Sequence, residues 1–357
     1  MLKLCSINRR CPKGLIGQIK FGLRLHTDVR NGEYPTLREM TPYVNRVESL
    51  GFDSIWVHDH VLAAPPVYTI DFLDAQVVLS AVAAATEKIK IGTAVLVLPI
   101  RHPVIVAKAI ATLDAISGGR VIFGAASGWI QGEFSAMGVS IRERGGRCEE
   151  MLKIIKLLWT NDHISFNGRY YQFEDLTVEP KPRQESGPPI WIAGGNTTES
   201  NSTTMGSTNA DAVLRRIAKY CDGWFPRNYP SATLDIVLND LKKIRRYAKE
   251  EGRDPSCLSI ADLYYIYLAE DPDLALHEAK KLYGRYAHRD IEDIKLRGGR
   301  QLFGTPEVVA ERIAERVRKL SPSHVIFTPL NYEERQLELL VDKVIPRVQE
   351  EVGKDSS

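Results

Sequence analysis

The sequence predicts an α/β protein of the (β/α)₈ TIM-barrel class with insertions. Three observations carry this: eight short apolar segments spread along the chain, a helical pattern after each, and one stretch, Ile89–Trp129, that reads strand, helix, strand without a break. In that stretch Ile89–Val97 is apolar and β-branched, as a strand covered on both faces should be. Pro103–Ile116 sets Val106, Ala109, Ile110 and Leu113 on one helical face, and Gly118-Gly119 stops the helix. Arg120–Ala125 then begins a second buried strand, which makes a parallel βαβ unit. Parallel α/β folds place ligands at the carboxyl ends of strands, here Leu98–His102 and Ala126–Trp129.

The other elements follow in order. Residues 1–18 are polar and aperiodic and read as a loosely ordered extension, leaving 19–357 as one barrel domain. Ile19–Leu25 is the first strand, and Pro35–Leu50 an amphipathic helix stopped by Gly51. Asp53–Val57 is the second strand; it exits through His58-Asp59-His60 into a Pro-rich loop before a helix at Asp71–Thr86. Beyond the central unit, Ile141–Trp159 is helical, and Asn167-Gly168 marks a hairpin turn within His163–Phe173. Pro189–Ala193 is strand five, followed by a Ser/Thr-rich loop, Asn196–Asn209, and a helix at Ala210–Tyr220. Asp222–Pro226 and Ser259–Leu268 are strands six and seven, with helices at Ala232–Glu251 and Asp271–Tyr283. Gly284–Phe303 is charged and irregular. Thr305 caps a helix to Leu320 with Pro306 at its first position, His324–Thr328 is strand eight, and Tyr332–Glu351 the last helix. An open doubly wound sheet is the competing fold, but no G-x-G-x-x-G follows the first strand.

Composition narrows the function. The 357 residues carry a formal net charge of +2, so no strong field selects nucleic acid or an acidic membrane. No unbroken apolar run approaches the ~18 residues of a membrane span, and the start lacks the apolar block of a signal peptide. Five scattered cysteines show no zinc-site spacing, and a reduced cytoplasm is the simplest expected setting.

Trp56-Val57-His58-Asp59-His60 is the densest polar cluster at a strand tip. An imidazole over a barrel mouth titrates near neutral pH and moves protons, whereas the plainer reading makes Asp59 a loop cap and one histidine a backbone partner. A metal is not expected, because His-x-His needs a further ligand. At Gly92-Thr93-Ala94-Val95-Leu96 two readings stand level: tight packing at Gly92, or backbone pressed against a flat ligand. Gly194-Gly195 after strand five is a candidate anion site, weakened by the distance to the next helix. Arg101-His102-Pro103 offers two readings, a substrate contact or a structural corner; the structural one is expected, with Pro103 starting the helix and Arg101 bonding nearby carbonyls. His324, Trp159, Trp191 and Trp224 read as structural.

Taken together, these motifs resemble the luciferase-like monooxygenase superfamily of flavin- or deazaflavin-dependent barrels, over about Ile19 to Val348. The matching stretches include Gly51–Val57 with Asp59-His60, Lys90–Leu96, Arg101-His102-Pro103, Ser117–Arg120, Gly128-Trp129, Pro189–Gly195, Asp222-Gly223-Trp224 and Phe303–Glu307. The branch using coenzyme F420, a 5-deazaflavin, looks most similar, with FMN as the alternative cofactor. The resemblance implies an oxidoreductase acting on a small-molecule substrate; a sugar phosphate is not the expected one, since Trp129 stands where some sugar-phosphate-oxidising relatives have a glutamate. It implies His60 beside the ring as a proton carrier and Asp59 orienting it or bonding the ring edge. It further implies Thr93, Ala94 and Val95 behind the ring with a cis Ala94–Val95 bond, Ser127, Gly128 and Trp129 flanking cofactor tail or substrate, and Gly194 and Gly195 on the phosphate. A homodimer is also implied. The long Asn196–Asn209 loop and His58 depart from the pattern.

Overall fold

The structure is a computed structural model; it describes residues 19–28, 33–63, 71–196, 210–227, 232–287 and 300–353. The expected extension at 1–18, most of the Pro-rich loop after His60, nearly all of the Asn196–Asn209 loop and most of the Gly284–Phe303 segment lie outside the described residues.

The strands are β1 Lys20–Leu25, β2 Ser54–Val57, β3 Lys90–Thr93, β4 Leu96–Val97, β5 Val121–Ala126, β6 Ile164–Asn167, β7 Gln172–Leu176, β8 Ile190–Gly194, β9 Gly223–Pro226, β10 Ser259–Leu268, β11 Gln301–Gly304 and β12 His324–Pro329. The α-helices are α1 Leu37–Ser49, α2 Ala75–Ala85, α3 Pro103–Ile116, α4 Gln131–Ala136, α5 Arg144–Thr160, α6 Ala210–Tyr220, α7 Leu234–Glu250, α8 Pro272–Ala287, α9 Pro306–Leu320, α10 Glu334–Leu339 and α11 Ile345–Gly353. Parallel pairing runs β1-β2-β3-β5-β8-β9-β10-β12 and returns to β1, which closes the predicted eight-stranded ring. The antiparallel β6-β7 hairpin stands apart, as the Asn167-Gly168 signal predicts.

Alternation along each strand separates two cores. Leu23, Ile55, Val57, Ile91, Phe123 and Phe327 face the helices. Trp56, Ile122, Trp191, Phe225, Leu263, Tyr265 and Ile326 fill the bore. Here Trp56 lies 5.3 Å from both Trp191 and Phe225, ring centre to ring centre. The large indoles are admitted by missing side chains. A Cβ on Gly92 would meet the Trp56 ring at 2.4 Å, and one on Gly223 would meet Trp191 at 2.4 Å. Packing therefore accounts for Gly92.

Four expectations need correction. The strand expected over Ile89–Val97 is interrupted at Ala94-Val95, whose peptide bond is cis, so it forms β3 and β4. Gln301–Gly304, expected within an irregular segment, is a strand on the outer half of β10; four residues are too few to show a period. The short helix α4 went unread for the same reason. The final helix is interrupted by a π-helical turn at Leu340–Val344.

Outside the bore, Asp262 on β10 is fully buried between Arg316 of α9, 2.9 Å away, and Arg300 before β11, 3.2 Å away, with Tyr264 Oη donating at 2.6 Å. Burial raises its carboxyl, but the two guanidinium groups prevail and hold it below the usual value.

Strand β3 meets β5 closely enough that a Cβ on Gly124 would lie 1.9 Å from the Thr93 carbonyl oxygen. Gly124→Ala is expected to lower unfolding stability by about 3 kcal/mol, the upper end for overpacking. Denaturant unfolding measures this, and a loss below about 1 kcal/mol would show that the two strands part easily.

Candidate active site

The mouth is built where the barrel strands end. After β2 the chain turns through His58-Asp59-His60-Val61, and two buried carboxylates pin this corner. Asp59, 2% exposed, accepts the Val97 N–H at 2.9 Å and pairs with Arg101 Nη2 at 2.9 Å. Arg101 Nη1 returns to the Val97 carbonyl at 3.0 Å, so both backbone polar groups of Val97 are held. Burial raises the Asp59 carboxyl above its ordinary value, against the opposing pull of Arg101 and the Val97 N–H. The expected carbonyl role of Arg101 is present, joined by an ion pair with a residue 42 positions away. Asp59 itself uses its oxygens on Val97 and Arg101, while the ring of His60 meets a second carboxylate.

That residue is Glu133 on α4. It is 0% exposed, and its Oε1 accepts the Val61 N–H at 2.7 Å and faces His60 Nδ1 at 3.2 Å. Phe134 beside it packs on Val97 and Ile100, which fixes α4 against the strand-three exit. The His60 ring, 8% exposed, lies among His58 (4.8 Å), Phe72 (5.9 Å) and Trp129 (5.9 Å, edge to face). Phe72 is brought over the mouth by its segment's pairing to the residues that follow β1, through an Asp28–Phe72 bridge and Leu73 N–H to the Thr27 carbonyl at 2.8 Å.

His58 points into the bore. Its Nδ1 donates to the Ala94 carbonyl at 3.2 Å, and Arg24 Nη1 lies 3.4 Å away. Arg24 in turn sits 4.8 Å from the Tyr265 ring centre, a cation over an aromatic face. Burial, then the nearby His60 and Arg24, holds the His58 imidazole well below its usual pKa.

The other expected residues fall on the same rim with different duties. Thr93 is 1% exposed and its hydroxyl donates to the Gly124 carbonyl at 2.6 Å, so it braces the wall. Ala94 and Val95 follow at the interruption, Ala94 buried and Val95 half-buried. Ser127, Gly128 and Trp129 are half-buried at the exit of β5. Gly128 has φ +75°, and a Cβ there would meet Val97 Cγ1 at 2.6 Å, so only glycine makes this turn. Gly194 and Gly195 have φ +157° and +144°, at the exit of β8. The next N–H, of Asn196, is taken by Asp240 Oδ2 at 2.7 Å, and a Cβ on Gly195 would lie 2.8 Å from the same oxygen. A buried carboxylate thus stands where the anion reading wanted open donors.

His324 lies at the opposite end of the bore, edge-on to Trp191 at 4.8 Å, with Nδ1 3.0 Å from Ser323 Oγ. Burial pushes its pKa down to about 3. Sequence reasoning missed Glu133, Phe72, Arg24 and Tyr265. Glu133 and Phe72 reach the site from loop-borne segments, and the alternation of β1 and β10 was the available signal for Arg24 and Tyr265.

A closed parallel barrel gathering imidazoles, aromatic rings and clamped carboxylates at its C-terminal mouth is the arrangement of a barrel enzyme's active face. The chain belongs to the luciferase-like monooxygenase family, whose model matches residues 19–324. It is 30% identical over 290 residues to an FMNH2-dependent dimethylsulfone monooxygenase of Pseudomonas putida, covering 76% of this chain and 77% of that one. It is 36% identical over 169 residues to an F420-dependent glucose-6-phosphate dehydrogenase of Amycolatopsis mediterranei; that match spans 44% of this chain and about half, 48%, of the relative. Among solved structures, an F420-dependent secondary alcohol dehydrogenase with an F420-acetone adduct superposes with TM-score 0.74 at 21% identity, over 93% and 99% of the two chains. Members of the family are oxidoreductases that use F420 or FMN. Among the described residues no helix is long and apolar enough to cross a membrane.

Two tests follow from the geometry. Asp59→Asn leaves Arg101 without its buried partner charge and is expected to cost about 3 kcal/mol of stability. Chemical denaturation reads it, and an unchanged midpoint would show that the clamp holds nothing. Second, His324 stays neutral when folded but protonates in the unfolded chain below pH ~6.5. The unfolded state then binds the extra proton, so stability falls as pH drops from about 6.5 toward the folded value of about 3, by roughly 1.4 kcal/mol per pH unit. His324→Leu should flatten the stability curve between pH 6 and 4 by about that slope. Parallel curves for the two proteins would refute it.

Proposed function

We propose that this protein is an F420-dependent oxidoreductase that transfers a hydride between the deazaflavin and a small organic substrate. The observation carrying the reading is His60: a nearly buried imidazole with one ring nitrogen held by Glu133, set among Phe72, Trp129 and His58 at the barrel mouth. A planar ring suits these surroundings. Ala94 and Gly128 are small, and Phe72 and Trp129 supply aromatic faces. Thr93, Ala94 and Val95 would back the ring, and Ser127, Gly128 and Trp129 would flank it. Gly194 and Gly195 would approach the phosphate on the side away from Asp240. When bound, the deazaflavin supplies a carbon that takes or gives a hydride. The chain's own part is orientation and a proton: His60 exchanges one with the substrate, while Asp59 and Arg101 keep its corner from shifting.

An FMN-dependent monooxygenase is the second reading. It is favoured by the dimethylsulfone monooxygenase match, which covers more of this chain than the F420-dependent match does. We further propose a cytoplasmic homodimer.

Spectral titration of the purified chain with F420 and with FMN separates the readings. Micromolar binding of F420 and substrate-dependent change at its absorbance band are expected; tight FMN binding with no F420 binding would overturn the first reading. His60→Ala should lower kcat by about 10²-fold or more, typical of a lost acid–base group, with cofactor binding and thermal midpoint retained. Undiminished turnover would remove His60 from the chemistry.

A further inference from the structure

We propose that Glu133 is the positioning residue of this site: it fixes His60 in the tautomer that carries its proton on Nδ1 and leaves Nε2 as the reacting nitrogen. The proposal rests on the reading of His60 as the proton carrier, and it adds which nitrogen acts and what decides it.

Glu133 Oε1 already accepts the Val61 N–H at 2.7 Å, so it is an acceptor, and His60 Nδ1 at 3.2 Å lies opposite that same oxygen. An imidazole nitrogen facing an acceptor oxygen carries the proton, and in a neutral ring the other nitrogen is then the base. The carboxylate has little freedom to adjust. Glu133 is 0% exposed, its helix is anchored by Phe134 on Val97 and Ile100, and Val97 is held at both backbone groups by Asp59 and Arg101. The other oxygen, Oε2, is buried and has no hydrogen-bond partner among the described residues. A buried carboxylate this poorly satisfied is costly as a packing element, which argues that its placement serves the imidazole. The pair also spans 73 positions, joining the exits of β2 and β5 across the mouth.

The consequence concerns direction of proton flow. A neutral His60 held this way is ready to accept a proton from a substrate group, and once charged it returns one from Nε2 while Nδ1 stays on Glu133. No rotation of the ring is needed between the two halves of a cycle.

Long-range ¹⁵N spectra of histidine-labelled protein, assigned with His60→Ala, read the tautomer directly without cofactor or substrate. Failure of this proposal is thereby distinct from failure of the cofactor reading. The wild-type chain is expected to show His60 protonated on Nδ1. Glu133→Leu removes the acceptor and should scramble the tautomer, lowering kcat by about 10- to 100-fold with KM changed less than about threefold, as for other lost orienting partners. Glu133→Gln keeps an acceptor oxygen and should restore the tautomer and most of the lost kcat. In a His60→Ala background, Glu133→Leu should lower kcat no further. A wild-type spectrum with the proton on Nε2 overturns the proposal even if the leucine variant does not fold. So does a Glu133→Leu protein with unchanged kcat, or an additive loss in the double variant.

Discussion

The carboxylate of Asp59 is the constraint on which the mouth depends. The third barrel stave is broken at Ala94-Val95, and what resumes as β4 is two residues long. So short a strand cannot position itself by ladder hydrogen bonds alone. Asp59 takes its Val97 N–H, and Arg101, paired to the same carboxylate, takes its carbonyl. With Val97 fixed, Phe134 has a surface to pack on, and Glu133 reaches His60. Each later contact presumes the earlier one. The arrangement is an ordinary response to buried charge: a desolvated carboxylate and guanidinium persist only where each also satisfies backbone groups.

Much of the fold was legible because it follows from period and punctuation. Pro103–Ile116 and Ser259–Leu268 run as read, since one is bracketed by proline and glycines and the other is a long apolar run. What escaped was short. Gln301–Gly304 and Gln131–Ala136 hold too few residues to display a period, and their type is decided by the neighbours they meet. The site divides in the same way. His60 and Trp129 were visible because strand tips are a fixed place in this architecture. Glu133 was not, because nothing local marks a glutamate that will be buried under a histidine 73 residues earlier. Asp59 lies at the mouth where its strand tip put it, but its partner lay 42 residues off and was read separately as a helix-start arginine.

The two ends of the bore treat histidine differently, and burial explains why. His324, at the N-terminal end, is enclosed by Trp191 and Ser323 with no carboxylate in hydrogen-bond contact among the described residues, and burial favours its neutral form. His60, at the mouth, is given an acceptor of its own. The same side chain is thus a filler at one end and, in the proposed reading, a proton carrier at the other, which is the division of labour barrels commonly show between their stable and their chemical faces.

The indole stack carries a further consequence. Trp56 occupies the hollows left by Gly22 and Gly92, and Trp191 that left by Gly223, so these staves are interlocked like a key in its wards. Trimming an indole would leave a void, and adding a methyl to any of the glycines would evict it. The bore is therefore solid beneath the rim, and a ligand cannot be accommodated by sinking deeper. Whatever widening a different substrate demands has to happen sideways, in the connecting segments above, which leaves divergence of specificity to the loops and keeps the staves conserved in shape by their own packing.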